Sequence, residues 1–223
     1  MSDENFGPHQ LLQAHLGEPP EDFVERRRIA AAMQELAARV VRMEAQPSEL
    51  RDWAEQLEGL VEQIGEREQR SAKDANRRMF SGKASLRDIF DMMDFDPVGG
   101  FSNPIAPRLI WTDESSEGVE GEVTLGVQYQ GPPGRVHGGV ISWIMDAVLS
   151  RAMHVARRIG VTGTLSVRYL APTRVEAPLR CAAWIERIEG RKMFIKGNLH
   201  HGQMKTVEAE GIFFQPEFMV GGE

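Results

Sequence analysis

The strongest constraint on the fold is a helical pattern within residues 131–150 that has no polar face. It follows the loop sequence Gly-Pro-Pro-Gly-Arg-Val-His-Gly-Gly and is interrupted by a single carboxylate, Asp146. A helix that borders water shows a polar stripe, so this helix is predicted to be buried. An ionised carboxylate is rarely buried without an ion-pair partner or a chemical role, because its transfer out of water costs free energy. Asp146 therefore needs a structural or a chemical explanation.

Strand patterns stand on both sides of this helix. Two of them can pair as a hairpin before it, and four more follow it with short links. The predicted strands cover residues 109–112, 119–129, 162–170, 179–188, 193–200 and 206–215. Helices do not alternate with the later strands, which argues against a parallel α/β sheet. The predicted fold is α+β, an antiparallel sheet wrapped around one long helix that continues to about Arg158.

The first 93 residues differ in composition from the rest. Residues 1–20 are polar and contain three prolines, which predicts a flexible leader. Residues 21–93 are predicted to form a helical hairpin and a linker, with the linker at 70–85, and the main domain then covers 94–223. The hairpin has two rows of apolar residues at steps of three and four. The rows are Ile29, Met33, Leu36, Val40 and Met43, then Leu50, Trp53, Leu57, Leu60 and Ile64.

A hairpin of this size is too thin to bury both rows by itself. It must therefore dock on the following domain, on a second copy of the chain or on another protein. Packing within the protein or its dimer is favoured, because apolar helix faces usually belong to a core.

Charge and cysteine content exclude several classes of function. The net charge of −7 and the pI near 5.5 argue against nucleic acid and anionic membranes as main partners. Cys181 is the only cysteine, so no internal disulfide can form. No secretory leader and no apolar run of roughly 20 residues is visible. We expect a cytoplasmic protein that does not insert into membranes.

Cofactor and metal sites are not expected either. Phosphate-loop and dinucleotide fingerprints are absent from the sequence. The pair His200-His201 lies in a strand pattern, so the two rings point to opposite faces and cannot easily hold one metal ion.

The entry of the helix is suited to polarising a carbonyl group. The first amides of a helix have no internal partner and carry partial positive charge, and Gly138 and Gly139 let a ligand oxygen approach closely. The alternative is that the two glycines only permit a tight turn into the helix.

Asp146 shares a helix face with Ser142, Trp143 and Ser150. It can act as a nucleophile or as the base that activates water. The alternative is a structural carboxylate paired with an arginine or capped by hydroxyl groups.

These features together resemble a known family. The motif Gly-Pro-Pro-Gly-x-Val-His-Gly-Gly, Asp146 and the segment Val-Thr-Gly-Thr-Leu-Ser-Val-Arg-Tyr-Leu-Ala-Pro at 161–172 are similar to hotdog-fold acyl-CoA thioesterases. These are the enzymes of the phenylacetate-pathway type and their mammalian relatives. The resemblance covers roughly residues 103–216 and implies the helix-in-sheet fold predicted above. It also implies hydrolysis of an acyl-CoA thioester to a carboxylate and free CoA.

The resemblance implies a role for each matched residue. The amides of Gly138 and Gly139 polarise the thioester carbonyl. Asp146 attacks that carbonyl or activates water, and Thr162, sixteen positions later, positions the water or the carboxylate. His137 mainly shapes the loop, and a role as catalytic base is the alternative.

Other contacts follow from the same resemblance. Some relatives place an Asn or Gln before the His to assist the carbonyl, a position that only Gln130 can fill here. An apolar acyl slot is expected near this helix, lined by Trp143, Met145 or phenylalanine side chains, and a place in the core is the alternative for each of them. Contacts with the CoA phosphates are expected from Arg157, Arg158 and Arg174.

The resemblance further implies a homo-oligomer, either a dimer or a dimer of dimers. Two sheets would join edge to edge, with the His-Gly-Gly of one copy facing Asp146 of the other. Nine residues separate His137 from Asp146, about 13 Å at 1.5 Å per residue, so one helix cannot bring both to one carbon atom. Two other functions stay open: a hotdog dehydratase or hydratase with a His base, and a non-catalytic acyl-CoA-binding scaffold.

Overall fold

The computed structural model describes residues 18–66, 78, 83 and 85–215. Most of the predicted leader and of the predicted linker lies outside the described residues. The helices are α1 (Glu21–Arg42), α2 (Pro47–Ile64), α3 (Leu86–Asp94) and α4 (Gly138–Val155). The strands are β1 (Ile110–Ser115), β2 (Gly118–Thr124), β3 (Val161–Tyr169), β4 (Pro178–Glu189), β5 (Lys192–His201) and β6 (Met204–Phe214).

The six strands form one antiparallel sheet in the order β1-β2-β4-β5-β6-β3. The predicted strands are confirmed with small shifts at their ends. Residues 127–129, predicted as the end of a strand, form a 3-10 turn instead. A tight turn follows Glu189 and joins β4 to β5, and Gly190 there adopts a left-handed φ of 57°. Strand β3 lies at one edge of the sheet and pairs only with β6 in the described chain.

Helix α4 lies against the concave face of this sheet and forms the centre of the core. Four of its side chains, Ile144, Met145, Val148 and Leu149, are fully buried. The sheet approaches α4 closely at Gly197, where an added Cβ would lie 3.0 Å from Leu149 Cδ2. The predicted buried helix is confirmed, and with it the α+β hotdog layout.

Helix α4 is three residues shorter than predicted. Ala156 caps its C-terminus, and Arg157 then takes a left-handed φ of 55°, which a helix cannot continue through. The chain turns there to enter β3.

Helix α1 is fixed to the main domain. Phe23 and Ala30 are buried, and Arg27 donates to the buried carboxylate of Asp94 with Nε–Oδ2 2.9 Å and Nη2–Oδ1 2.5 Å. The side-chain amide of Gln34 donates to the carbonyl of Ala106 at 2.8 Å. Docking on the following domain, one of the expected arrangements, is therefore observed for α1.

Helix α2 differs from the prediction. The two N-terminal helices and their short link are present, but α2 has no buried residue. The apolar rows of both helices stay exposed, so the two helices do not close against each other as a packed hairpin within one chain.

Candidate functional site

His137 is the N-cap residue of α4. Its Nδ1 accepts a hydrogen bond from the Gly139 amide at 3.0 Å, and its carbonyl accepts from Val140 at 3.0 Å. An acceptor at Nδ1 requires the ring proton to lie on Nε2 when the imidazole is neutral. His137 thus holds the first turn of the helix, the structural part of its predicted role.

The helix entry offers one free amide, where two were expected. The Gly139 amide is used by His137, so it cannot donate to a ligand without breaking that contact. The Gly138 amide has no acceptor in the described part of the chain. As the first helical residue it has no intrahelical partner, which leaves it available for an oxygen atom.

Tyr169 and Ser142 support the helix entry, and the sequence analysis assigned a role to neither. The Tyr169 hydroxyl donates to the Gly138 carbonyl at 2.8 Å, and Ser142 Oγ lies 2.8 Å from the same hydroxyl. These contacts tie the end of β3 to the start of α4. The signal for Tyr169 was its place in the segment 161–172, seven residues after Thr162.

Asp146 and Thr162 are brought together as the sequence predicted. Thr162 Oγ1 donates to Asp146 Oδ1 at 3.0 Å. Thr162 lies on β3, the edge strand, and is exposed, whereas Asp146 is half-buried. The pair therefore places an oriented carboxylate at an open edge of the sheet.

A cavity of about 390 Å³ begins at Asp146 and runs toward the C-terminus of α4. Trp143, Ala147 and Ser150 line it from the helix, and Trp111 lines it from β1. Residues 92–99 close it from the other side. The helix face predicted to carry Asp146, Trp143 and Ser150 therefore borders this cavity. The volume of the cavity lies within the range of small-molecule sites.

The far end of this cavity is polar. Arg151 lines it, lies over the Trp111 ring at 5.6 Å and pairs with the buried carboxylate of Glu114. Partial loss of solvent and the nearby Arg151 charge disfavour the imidazolium form, so the pKa of His154 lies below its ordinary value. The carboxylate of Asp96 also lines this cavity.

The remaining predicted residues do not converge on one place within the chain. Arg174 forms an isolated bridge with Arg135 beside the loop before α4, while Arg157 and Arg158 follow the opposite end of that helix. The 18 residues of α4 separate these ends by about 27 Å.

The structure also shows the contacts of two other residues named in the sequence analysis, Gln130 and Met145. Gln130 Oε1 accepts from the Gly134 amide at 2.7 Å and so orders the loop. Met145 is fully buried in the core and does not border the cavity, so it takes the core position that was the alternative to the acyl slot.

The described ranges contain neither a metal-binding cluster nor a membrane-spanning helix. No group of three or more His, Cys, Asp or Glu side chains is placed there to hold a metal ion. No helix there is long and apolar enough to cross a bilayer.

Comparison with known proteins shows which family these elements resemble. Residues 133–208 match the family model of the thioesterase superfamily, a region that starts before His137 and ends within β6. This part of the chain is similar to the thioesterase superfamily. Acyl-coenzyme A thioesterase THEM4 of Mus musculus is 30% identical over 92 residues. Acyl-coenzyme A thioesterase THEM5 of Homo sapiens is 28% identical over 92 residues. The matches cover 40% of this chain, 40% of the mouse protein and 37% of the human one.

Solved structures of thioesterase superfamily proteins are also similar to this chain. A crystal structure of a thioesterase superfamily protein has a TM-score of 0.71 at 29% identity and covers 85% of this chain and 90% of its own. Zebra fish thioesterase superfamily member 2 has a TM-score of 0.50 at 16% identity, covers 59% of this chain and 96% of its own, and shows the fold alone. The first match covers more of the chain than the main domain, so it includes part of the N-terminal helical region.

Proposed function

We propose that this protein is an acyl-CoA thioesterase that hydrolyses its substrate at a site shared between two copies of the chain. The observation that carries the proposal is the hydrogen bond from Thr162 to Asp146 at an open sheet edge, beside a cavity. The curated relatives named above are acyl-CoA thioesterases, which supports CoA as the leaving group.

Two copies are needed because the two site elements are too far apart in one chain. Gly138 and Asp146 are eight residues apart on one helix, about 12 Å along its axis. A carbonyl oxygen on the Gly138 amide would therefore place its carbon out of reach of Asp146 of the same chain. An edge strand of nine residues with unpaired backbone groups is also a surface that invites another strand. Pairing of two β3 strands would bring Asp146 of one copy toward the helix entry of the other.

The chemistry then follows from the groups present. The Gly138 amide stabilises the negative charge that develops on the thioester oxygen. Asp146 either attacks the carbonyl carbon itself or removes a proton from the attacking water. The bond between carbon and sulfur breaks, the CoA thiolate leaves and takes up a proton, and water supplies the second oxygen of the carboxylate product. Thr162 fixes the carboxylate by donating to one of its oxygens.

The cavity next to Asp146 is the place for the acyl group. Its lining by Trp111, Trp143 and residues 92–99 gives a largely apolar wall, and it ends at Arg151. Arg157, Arg158 and Arg174 remain candidates for the CoA phosphates, and their separation at two ends of α4 fits a site to which two chains contribute.

The hydratase alternative finds no support at the helix entry. A general base needs a free lone pair, and His137 uses that of Nδ1 to accept from Gly139. Its Nε2 then carries the proton in the neutral ring.

The test of the proposal is release of free thiol by the purified protein and its Asp146→Asn variant. The amide oxygen of Asn can still accept from Thr162, so we expect the fold and its melting temperature to be retained. Thiol release from a panel of acyl-CoA substrates should fall at least about 100-fold, because Asn can neither attack nor accept a proton. Unchanged hydrolysis by the variant would remove Asp146 from the mechanism. Water addition to an enoyl thioester without thiol release would favour the hydratase.

A further inference from the structure

The N-terminal helices carry two apolar surfaces that none of the residues described by the structure covers within one chain. The α1 seam consists of Ile29, Met33, Leu36 and Val40, and the α2 seam of Leu50, Trp53, Leu57, Leu60 and Ile64. These side chains are between 39 and 56% exposed. Both seams repeat in alternating steps of three and four residues, the spacing that packs one helix against another in a coiled coil. Their pattern thus fits a helical partner.

The α1 seam is held in a fixed direction. The face of α1 that docks on the main domain contains Phe23, Arg27, Ala30 and Gln34, which lie about a quarter to a third of a turn away from the seam. Docking therefore leaves the seam free, and the Arg27–Asp94 pair keeps α1 from rotating to cover it. A preset surface loses little freedom when it binds.

The α2 seam cannot be explained by the chain's own core. No residue of α2 is buried, although the helix starts only four residues after α1 ends. An amphipathic helix without tertiary packing is marginal in water, since propensity alone rarely stabilises 18 residues.

The charges of the two helices favour α1 as the partner of α2. Helix α2 has five acidic residues and one arginine, whereas α1 has five arginines and four acidic residues. Two α2 helices side by side would bring like charges together, which is unfavourable, and an acidic helix is repelled by anionic lipid headgroups. Pairing of α2 with α1 avoids both costs.

We infer that α2 of one copy of this chain packs its seam against the α1 seam of a second copy, and that the exchange is mutual. Two such contacts related by a twofold axis cover all four seams at once and form a closed assembly. This contact is independent of the proposed hydrolysis and uses none of the site residues.

Crosslinking between two distinguishable chains tests the pairing. One chain carries Leu36→Cys, the other carries Leu57→Cys and a small tag, and the two are co-expressed and treated with a short bismaleimide. The native Cys181 is buried and should not react. We expect a crosslinked product of one tagged and one untagged chain as the main species. Chains with only Leu57→Cys should give little crosslinked product.

Two control variants test whether the crosslink depends on the α2 seam and not on other positions of the same helix. Ser48 lies on the side of α2 opposite the seam, so replacing the Leu57→Cys reporter by Ser48→Cys should lose the crosslink. Adding Leu60→Glu to the Leu57→Cys chain should also lose it, while Ser48→Glu adds the same charge and should leave it. A dominant product between two Leu57→Cys chains, or no mixed product at all, would overturn the inference.

Discussion

Replacement of Arg27 by methionine tests how α1 is held on the main domain. Asp94 is 3% exposed and accepts three hydrogen bonds from two nitrogens of Arg27 and one from the Ser102 hydroxyl. The Arg27→Met variant keeps the apolar stem of the side chain but leaves a buried carboxylate without its cation. Removing one partner of a buried pair costs about 3–5 kcal/mol, and Arg27 is partly exposed, so we expect about 3 kcal/mol.

The matched control is Arg28→Met on the next residue. Arg28 pairs with Glu25, and these side chains are 74 and 56% exposed. Such a surface pair is screened by water, so this variant should stay within about 0.5 kcal/mol of wild type. Urea unfolding followed by circular dichroism gives both values, and for a chain of this size 3 kcal/mol corresponds to a loss of roughly 6–12 °C in Tm. Equal stability of the two variants would refute the reasoning.

Two further predictions follow from single contacts. Thr162→Val removes the hydroxyl that donates to Asp146, so kcat for thiol release should fall about tenfold, while Thr162→Ser should retain most of it. An activity of Thr162→Val equal to that of Thr162→Ser would show that the hydrogen bond has no part in the reaction. Burial raises the pKa of the Cys181 thiol to about 12, so the folded protein should not react with a thiol reagent at pH 8. The same reagent should label it in urea, and fast labelling of the folded protein would contradict its burial.

The fold was predictable because each element carries its own signal. A helix without a polar face has to be buried, and four alternating strand patterns with short links can cover it only as an antiparallel sheet. Asp146 and Thr162 were paired through the family resemblance, and the hydrogen bond between them agrees with that pairing.

What the sequence could not show depends on contacts between distant segments. The Gly139 amide is taken by the His137 ring, which depends on the ring's rotamer and not on the Gly-Gly pattern. Tyr169 reaches the Gly138 carbonyl only because β3 runs along α4.

For the N-terminal helices too, the sequence predicted the elements but not how they pack. The periodicity of the two apolar rows predicted the helices correctly. It contained no information on whether the rows would meet each other, the domain or a second copy, because spacing defines a face and not its partner.

Subunit complementation tests the shared site most directly. Gly138→Pro removes the free amide at the first helical position, where proline is well tolerated, and His137 already has the extended backbone that precedes a proline. Asp146→Asn removes the carboxylate, and each variant alone should be inactive. Gly138→Ala keeps the amide and controls for the added Cβ near the Tyr169 hydroxyl.

Co-refolding equal amounts of Gly138→Pro and Asp146→Asn chains should restore about a quarter of wild-type thiol release. Half of the randomly formed dimers are then mixed, and each mixed dimer has one intact site out of two. Recovery near this level would agree with a site made of the Gly138 amide of one copy and Asp146 of the other. If the mixture stays inactive while mixed dimers are shown to form, the site is not shared between chains and the account is wrong.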